Sequence, residues 1–207
     1  MSKITTLLFD LGGVIITLDE QQAIRRFSEI GLQEAIASLD PYTQTGIFGK
    51  LEAGIIDDDQ FRREASLLAK KDVSWQECLY AWTGYCGRVP QRNLDKLKEL
   101  RDRGLRLVLV SNTNPFMMHW AMSSEFDGKG NPLQSYFDKI YMSYKIKAMK
   151  PDKAFFEAVI KGENLNPGEC LFIDDGQRNI DAARLLGFNT FKAENGADWT
   201  NIIDSLI

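Results

Sequence analysis

The stretch Lys3–Val14, with the sequence KITTLLFDLGGV, places an apolar run directly before a carboxylate and a pair of glycines. Short apolar runs of this kind are typical of strands that are covered on both faces of a parallel sheet. Asp10 follows the run, and Gly12 and Gly13 allow backbone turns that other residues avoid. The stretch therefore predicts a buried strand that ends in a turn, where Asp10 serves either chemistry or only the amides of the loop.

Two later apolar runs, at 105–110 and 170–173, have the same character, and each also ends in polar residues. Helical patterns that end near a glycine lie between or after these runs. They include Leu94, Leu97 and Leu100; Phe155, Phe156, Val159 and Ile160; and Ile180 and Ala183. This alternation predicts an α/β fold with a doubly wound parallel sheet, in which ligands bind outside the carboxyl ends of the strands.

The region from about residue 17 to residue 88 has a different pattern. Its apolar residues recur at helical spacing, as in Phe61, Ala65 and Leu68, and no strand is expected within it. We therefore predict an α/β core domain formed by residues 1–16 and 89–207, and a helical cap domain formed by residues 17–88. An insertion at this point would cover the carboxyl end of the first strand.

Polar residues also follow the strand predicted at 105–110. Ser111 and Asn112 lie just before a helix that is expected to begin near Pro115. Hydroxyls and amides at a helix N-terminus bind anions readily, although Ser111 or Thr113 could instead only cap this helix.

An acidic pair, Asp174 and Asp175, follows the run at 170–173. Adjacent carboxylates at a buried strand end repel each other unless a cation lies between them, and oxygen ligands suit magnesium. Lys150 precedes a proline, which disfavours a helical conformation at the lysine. This lysine either reaches the strand ends or is solvated, as most lysines are.

The order of these features is more specific than any one of them. An aspartate follows the first strand, a serine follows a middle strand, a lysine precedes a helix, and an aspartate pair follows a later strand. This order resembles the four motifs of haloacid dehalogenase-like hydrolases, here LLFDLGGV, VLVSNT, MKPD and FIDDGQRNIDAA. The resemblance implies a magnesium-dependent phosphatase with a helical cap, acting on a small phosphorylated metabolite.

The resemblance also implies a role for each motif residue. Asp10 would be the nucleophile that carries an aspartyl-phosphate. Ser111 and the Asn112 amide would hold the transferred phosphoryl group, and Lys150 would neutralise charge between this group and Asp10. The implied magnesium ligands are oxygen donors at strand ends: Asp10, the Gly12 carbonyl, Asp174 and Asp175.

Gly12 departs from the family's pattern, because phosphatases of the family usually carry a second aspartate two residues after the nucleophile. That aspartate acts as general acid and base, a contribution of about 10²–10⁴-fold, so its loss would slow turnover without removing the site. Some sugar-phosphate phosphatases, including bacterial glucose-1-phosphate phosphatase, are similar in having FDLG at this place. An anomeric oxygen leaves more readily than an alkoxide, so we expect a sugar phosphate as substrate.

Two alternatives stay open. A haloacid dehalogenase also lacks the second aspartate, but it needs no metal and would have no use for the acidic pair. A non-catalytic member that binds a phosphometabolite or a protein partner is the second alternative, and Gly12 is the reason to consider it.

The cap selects the substrate in many members of the family, so the insertion contains candidates for specificity. Surface or cap-core roles are nevertheless favoured for each of them: Tyr42, Lys50, Glu52 and Trp82.

The composition limits the partners of the protein. Its 25 basic and 29 acidic residues give a net charge of -4, which offers no electrostatic footprint for nucleic acid or an anionic membrane. The apolar run before Asp10 is far too short for a signal or spanning segment, so a cytoplasmic protein with a small-molecule partner is expected. The three cysteines lack CxxC spacing and predict neither a disulfide framework nor a zinc cluster.

Overall fold

A computed structural model describes residues 3–38 and 45–207 of the chain. The strands are β1 Thr6–Phe9, β2 Thr17–Leu18, β3 Cys86–Arg88, β4 Arg106–Ser111, β5 Lys139–Met142, β6 Cys170–Asp174 and β7 Asn189–Lys192. The α-helices are α1 Glu20–Glu29, α2 Gly46–Glu52, α3 Asp58–Ala69, α4 Trp75–Trp82, α5 Gln91–Asp102, α6 Pro115–Ala121, α7 Ser143–Ile146, α8 Lys153–Glu163 and α9 Gln177–Leu185. None of the helices in these two ranges is long and apolar enough to cross a membrane.

β1 lies at the centre of a parallel sheet with the strand order β5-β4-β1-β6-β7. Leu8 of β1 is opposite Val108 of β4 on one side and Phe172 of β6 on the other. The strand order reverses at β1, so the carboxyl ends of the three central strands meet where ligands bind in such sheets. The α/β fold with a parallel sheet that the sequence predicts is confirmed.

Successive side chains of β1 enter two different apolar layers. Leu7 and Phe9 pack in one layer, which also contains buried residues of α5, α6 and the inserted helices. Leu8 packs in the other layer with buried residues of α8 and α9. Full burial of such a side chain contributes roughly 1.5–3 kcal/mol, and burial on both faces explains why the strand reads as a continuous apolar run.

The inserted helices pack around a cluster of aromatic rings. In the cluster formed by Phe27, Phe48, Phe61 and Trp82, each ring centroid lies 5.1 to 5.8 Å from those of at least two others. Phe61 also lies 5.7 Å from Phe116 of α6, which follows β4. The insertion and the sheet therefore share one apolar layer.

The insertion begins and ends in a short antiparallel ribbon that the sequence pattern does not predict. Thr17 of β2 pairs with Arg88 of β3, and Leu18 pairs with Cys86. Strands of two and three residues are too short to show a periodic pattern, so the expectation of no strand between 17 and 88 was wrong at these ends. The division into a core of residues 1–16 and 89–207 and a cap of residues 17–88 stays a prediction.

A glycine turn fixes the end of α2 against the sheet domain. Gly54 has a φ of 64°, in the left-handed region. A Cβ atom at this position would lie 2.2 Å from the backbone oxygen of Tyr144 in α7. Glycine alone combines this conformation with so close an approach. Leu51 and Glu52, the last residues of α2, are consequently held in buried positions.

Candidate active site

Asp10 lies directly after β1, at the carboxyl edge of the sheet. Its backbone N–H donates to the carbonyl of Ile173 at 2.9 Å, which continues the pairing with β6 past the end of the strand. Its Oδ1 accepts a hydrogen bond from the backbone N–H of Leu11 at 2.7 Å. The side chain is 14% exposed, so the carboxylate is fixed in direction and still reaches open space.

Gly12 and Gly13 differ in backbone conformation and in the space available for a side chain. Gly13 has a φ of 69°, and a Cβ atom at this position would lie 2.0 Å from Oδ2 of Asp175. Gly13 therefore allows the turn to pass against the acidic pair. A Cβ atom at Gly12 would meet the end of the Leu18 side chain at 3.1 Å, and the backbone there does not have a positive φ. The turn itself thus tolerates a larger residue at position 12.

Three carboxylates meet at this edge of the sheet. Asp10, Asp174 and Asp175 each place an oxygen within 4.8 Å of the others. Nζ of Lys150 lies 2.9 Å from Oδ1 of Asp10 and 2.6 Å from Oδ2 of Asp174. The lysine side chain is fully buried, which excludes the solvated alternative for Lys150.

Lys150 is held in place by the side chain of Asn112. Nδ2 of Asn112 donates to the carbonyl of Lys150, and Oδ1 of Asn112 accepts from the N–H of Lys150, both at 2.8 Å. The side-chain amide of Asn112 therefore positions the lysine. The backbone amide of Asn112 is the group that the resemblance assigns to the phosphoryl group.

The carboxyl end of β4 brings Ser111 to the same place. Ser111 is the last residue of β4 and is 2% exposed. Helix α6 begins at Pro115 as predicted, but neither Ser111 nor Thr113 caps it. Asn114 does so, because its Oδ1 accepts from the backbone N–H of Met117 at 3.1 Å. The capping alternative for Ser111 is therefore wrong.

A cavity connects these residues with the insertion. From the strand ends it is lined by Asp10, Leu11, Gly12, Ile16, Ser111, Asn112, Thr113, Met117 and Asp175, and from the insertion by Leu18, Glu52, Trp82 and Tyr85. The residues predicted to hold a phosphoryl group thus share a cavity with side chains that could contact the rest of a substrate.

The candidates for specificity have different positions. Glu52 and Trp82 line the cavity, and Trp82 also belongs to the aromatic cluster, as its cap-core alternative predicted. Lys50 has a half-exposed side chain 4.0 Å from Glu64. Tyr42 lies outside the described residues.

Burial and neighbouring charges change the ionisation of Asp10 and Lys150. Burial has the largest effect on Asp10 and raises its pKa; Lys150 lowers the pKa, Asp174 and Asp175 raise it, and the net value is about 7. Burial lowers the pKa of Lys150, but Asp10 and Asp174 outweigh this effect, so the pKa is above its ordinary value. The lysine is therefore cationic, and a further cation beside Asp10 would favour the carboxylate that a nucleophile requires.

The arrangement suits magnesium by its donor atoms and charge. The three carboxylates offer hard oxygen ligands and carry more negative charge than one lysine neutralises. Asp174 already uses both oxygens: Oδ2 faces Lys150, and Oδ1 accepts from Gly176 N at 2.8 Å and Asn179 Nδ2 at 3.0 Å. Hydrogen bonds therefore hold Asp174 in place through both of its carboxylate oxygens.

Glu52 is a buried carboxyl group, 7% exposed, with unusual ionisation. Burial has the largest effect and raises its pKa; the Asn114 side chain lowers the pKa, the charge of Asp10 raises it, Lys150 lowers it, and the net value is about 8, against an ordinary 4.5. The folded protein therefore retains this proton at neutral pH. The sequence pattern included Glu52 among the candidates for specificity but favoured a surface or cap-core role. The spacing of residues within the insertion does not show which part of the protein α2 packs against.

Glu52→Gln is expected to stabilise the metal-free fold increasingly as the pH rises from 4.5 to 8. In that range the folded wild type keeps a proton that the unfolded chain releases, so the wild type loses stability that glutamine retains. At one pKa unit per 1.4 kcal/mol, we expect a difference of roughly 2–4 kcal/mol at pH 8 and little at pH 4.5. Urea unfolding of both proteins across this range measures the difference. Glu64→Gln is the control, and an advantage of Glu52→Gln that does not depend on pH would contradict the prediction.

Residues 4–187 match the haloacid dehalogenase-like hydrolase family. The chain is 43% identical over 196 residues to a D-ribitol-5-phosphate phosphatase of Bacteroides thetaiotaomicron, covering 95% of both proteins. This relative acts on a phosphorylated sugar alcohol.

Solved structures show the same similarity. A predicted HAD-like family hydrolase from Porphyromonas gingivalis superimposes with a TM-score of 0.94 at 38% identity, covering 99% of this chain and 98% of the other. A wild-type HAD family enzyme from Bacteroides thetaiotaomicron, in complex with magnesium and inorganic phosphate, gives a TM-score of 0.86 at 33% identity, covering 96% and 98%. Motif order, fold and similarity thus agree, and the chain belongs to the haloacid dehalogenase-like hydrolase family.

Proposed function

We propose that this protein is a magnesium-dependent phosphatase that hydrolyses a small sugar or sugar-alcohol phosphate through an aspartyl-phosphate on Asp10. The observation that carries the proposal is the contact of Lys150 with both Asp10 and Asp174, at the edge of a cavity that Asp10 and Asp175 line. The relative that acts on D-ribitol 5-phosphate and the neighbouring structure with magnesium and phosphate support the same activity.

In the proposed mechanism, this chain's residues bind the phosphoryl group and place Asp10 in line with it. The Ser111 hydroxyl and the Asn112 backbone amide hold the phosphoryl oxygens, and Lys150 neutralises part of their charge. Phosphoryl transfer depends mainly on such positioning and charge stabilisation. A carboxylate oxygen of Asp10 attacks phosphorus, the bond to the leaving oxygen breaks, and water later hydrolyses the aspartyl-phosphate to phosphate and free Asp10.

The proposed magnesium ligands are Asp10, the Gly12 carbonyl and Asp175, with Asp174 acting through Lys150 and the loop after β6. When bound, the cation would neutralise charge on the transferred phosphoryl group. The hydrogen bonds of Asp174 to Lys150, Gly176 and Asn179 are the reason to assign it this positioning role.

The acidic pair counts against the dehalogenase alternative. Three carboxylates beside a single lysine leave unbalanced negative charge, which a cation relieves and a metal-free dehalogenase does not need. The net charge of -4 favours a small-molecule partner over nucleic acid or an anionic membrane. A cytoplasmic location stays a prediction from the sequence.

The proposal is tested by initial rates of phosphate release from a panel of esters in excess magnesium or excess EDTA. The panel contains D-ribitol 5-phosphate, other sugar-alcohol phosphates, sugar 1-phosphates and simple alkyl phosphates, with a 2-chloro acid assayed for halide release. We expect magnesium-dependent turnover that is fastest with a sugar or sugar-alcohol phosphate, because the cavity offers polar groups beyond the phosphoryl site.

Three outcomes would contradict the proposal in different ways. Halide release without metal would favour the dehalogenase. Binding of phosphate esters without turnover would favour a non-catalytic member. Fastest turnover of simple alkyl phosphates would keep the phosphatase activity but overturn the sugar class of the substrate.

A further inference from the structure

We propose that Glu52 is the proton donor and acceptor of the reaction and replaces the aspartate that this chain lacks at Gly12. The inference rests on the phosphatase function proposed above. A sugar-alcohol phosphate has no anomeric carbon, so its leaving oxygen is an ordinary alkoxide that needs a proton. The absence of the family's usual acid at position 12 therefore calls for another donor.

The position of Glu52 suits this role. It lines the cavity with Asp10, Ser111 and Asp175, although it belongs to the insertion. Among the described residues that line this cavity, three carry a carboxyl group. Two of these, Asp10 and Asp175, belong to the cluster of carboxylates at the strand ends, whereas Glu52 comes from α2. Glu52 is thus a carboxyl group on the substrate side of the cavity.

The side of the cavity at position 12 is apolar. A side chain at position 12 would extend toward Leu18, because a Cβ atom built on Gly12 would lie 3.1 Å from Cδ2 of Leu18. Leu18 also lines the cavity. The usual acid of the family would enter the cavity from this direction. Glu52 supplies a carboxyl group to the same cavity from the insertion.

Two contacts fix Glu52 relative to the sheet domain. Gly54 follows Glu52 by two residues, and the turn at Gly54 packs against the backbone oxygen of Tyr144. The side chain of Asn114, which is fully buried at the start of α6, lies beside the Glu52 carboxyl group. A group that transfers protons must be held in place, and these contacts fix Glu52 in the wall of the cavity that Asp10 also lines.

The charged groups around Glu52 favour its protonated form in the free enzyme. Asp10 at the end of β1 raises its pKa, while Asn114 of the α6 cap and Lys150 lower it, and burial outweighs both to give a pKa of about 8. Glu52 therefore enters the reaction with a proton to give.

The proposed steps balance as follows. When Asp10 attacks phosphorus, the electron pair of the breaking bond goes to the leaving oxygen, which takes the proton of Glu52, so the alcohol leaves and Glu52 becomes a carboxylate. In the second step, the oxygen of a water molecule bonds to phosphorus while the water gives a proton to the Glu52 carboxylate. The bond between phosphorus and Asp10 breaks, inorganic phosphate is released, and Glu52 is again protonated.

The test compares Glu52→Gln with the wild type on a series of substituted phenyl phosphates. These esters lack sugar hydroxyls, so they separate proton donation from recognition of the sugar. We expect kcat of the variant to fall by about 10²–10⁴-fold for the least acidic leaving groups and by less than about tenfold for p-nitrophenyl phosphate. The dependence of log kcat on leaving-group pKa should therefore be steeper in the variant.

Glu64→Gln removes a carboxyl group from a half-exposed position of the insertion and should match the wild type throughout the series. Binding of inorganic phosphate in the presence of magnesium, measured by calorimetry, should persist in Glu52→Gln and shows that the site is intact. Gly12→Asp added to Glu52→Gln should restore part of the rate with poor leaving groups, because the turn tolerates a side chain there.

An equal loss of kcat for every ester in the series would overturn the role of Glu52 and leave the phosphatase function standing. A rise in KM with unchanged kcat would assign Glu52 to binding and would also overturn it. A wild type without magnesium-dependent turnover on any ester would instead overturn the phosphatase function, and this inference with it.

Discussion

Asp10→Asn is expected to lower kcat for phosphate release by about 10⁴-fold or more, because an amide cannot form the covalent phosphoryl intermediate. The replacement is close in size, and Lys150 retains its 2.6 Å contact with Asp174, so the fold and the shape of the cavity should survive. Quenching the wild type with acid during turnover should trap phosphate on the protein. The same experiment with the variant should trap none.

Asp181→Asn is a suitable control, since Asp181 is exposed on α9 and its replacement removes the same charge away from the cavity. It should keep the wild-type rate. Acid-stable phosphate on Asp10→Asn, or a rate within tenfold of the wild type, would show that another residue is the nucleophile.

Lys150→Met is expected to destabilise the metal-free fold by about 3–5 kcal/mol, because it leaves buried carboxylates without their compensating cation. Asp174 is fully buried and receives the shortest contact of the lysine, 2.6 Å. Urea unfolding should show this loss. Saturating magnesium should recover part of it, while kcat stays lower by about 10²–10³-fold through the loss of charge stabilisation on the phosphoryl group.

The double variant Lys150→Met with Asp174→Asn separates charge from packing. Removing the carboxylate should restore most of the stability lost in the single variant. Lys153→Met, at an exposed lysine paired with Glu157, should change stability by less than about 0.5 kcal/mol. If the double variant is no more stable than Lys150→Met, the lysine acts through its packing and not through its charge.

The centre of the fold could be predicted from the sequence, whereas its edges could not. The runs ending at Phe9, Val110 and Ile173 are buried on both faces, and burial on both faces leaves a continuous apolar signal. The edge strands β5 and β7 have partly exposed residues and gave no such signal. The ribbon of β2 and β3 was missed because it has too few residues for a period to appear.

The site could be predicted as far as its residues follow a strand or precede a helix. Asp10, Ser111, Lys150 and the acidic pair lie at such places, so the topology brings them together. Glu52 has no comparable marker, since its nearness to Asp10 depends on how α2 packs and on the turn at Gly54. Contacts between the insertion and the strand ends arise from tertiary packing, and residue spacing alone does not encode them.

The aromatic cluster links the specificity of the cavity to the stability of the fold, because one residue contributes to both. Trp82 lines the cavity, yet it is 1% exposed and its ring also packs against Phe27, Phe48 and Phe61. Truncating such a buried tryptophan typically costs about 3–5 kcal/mol, a large part of the stability of a domain. Selection for a new substrate therefore has little freedom at Trp82. Divergence within this branch of the family should instead proceed through Leu18 and Tyr85, which also line the cavity from the insertion, and redesign of its specificity is constrained in the same way.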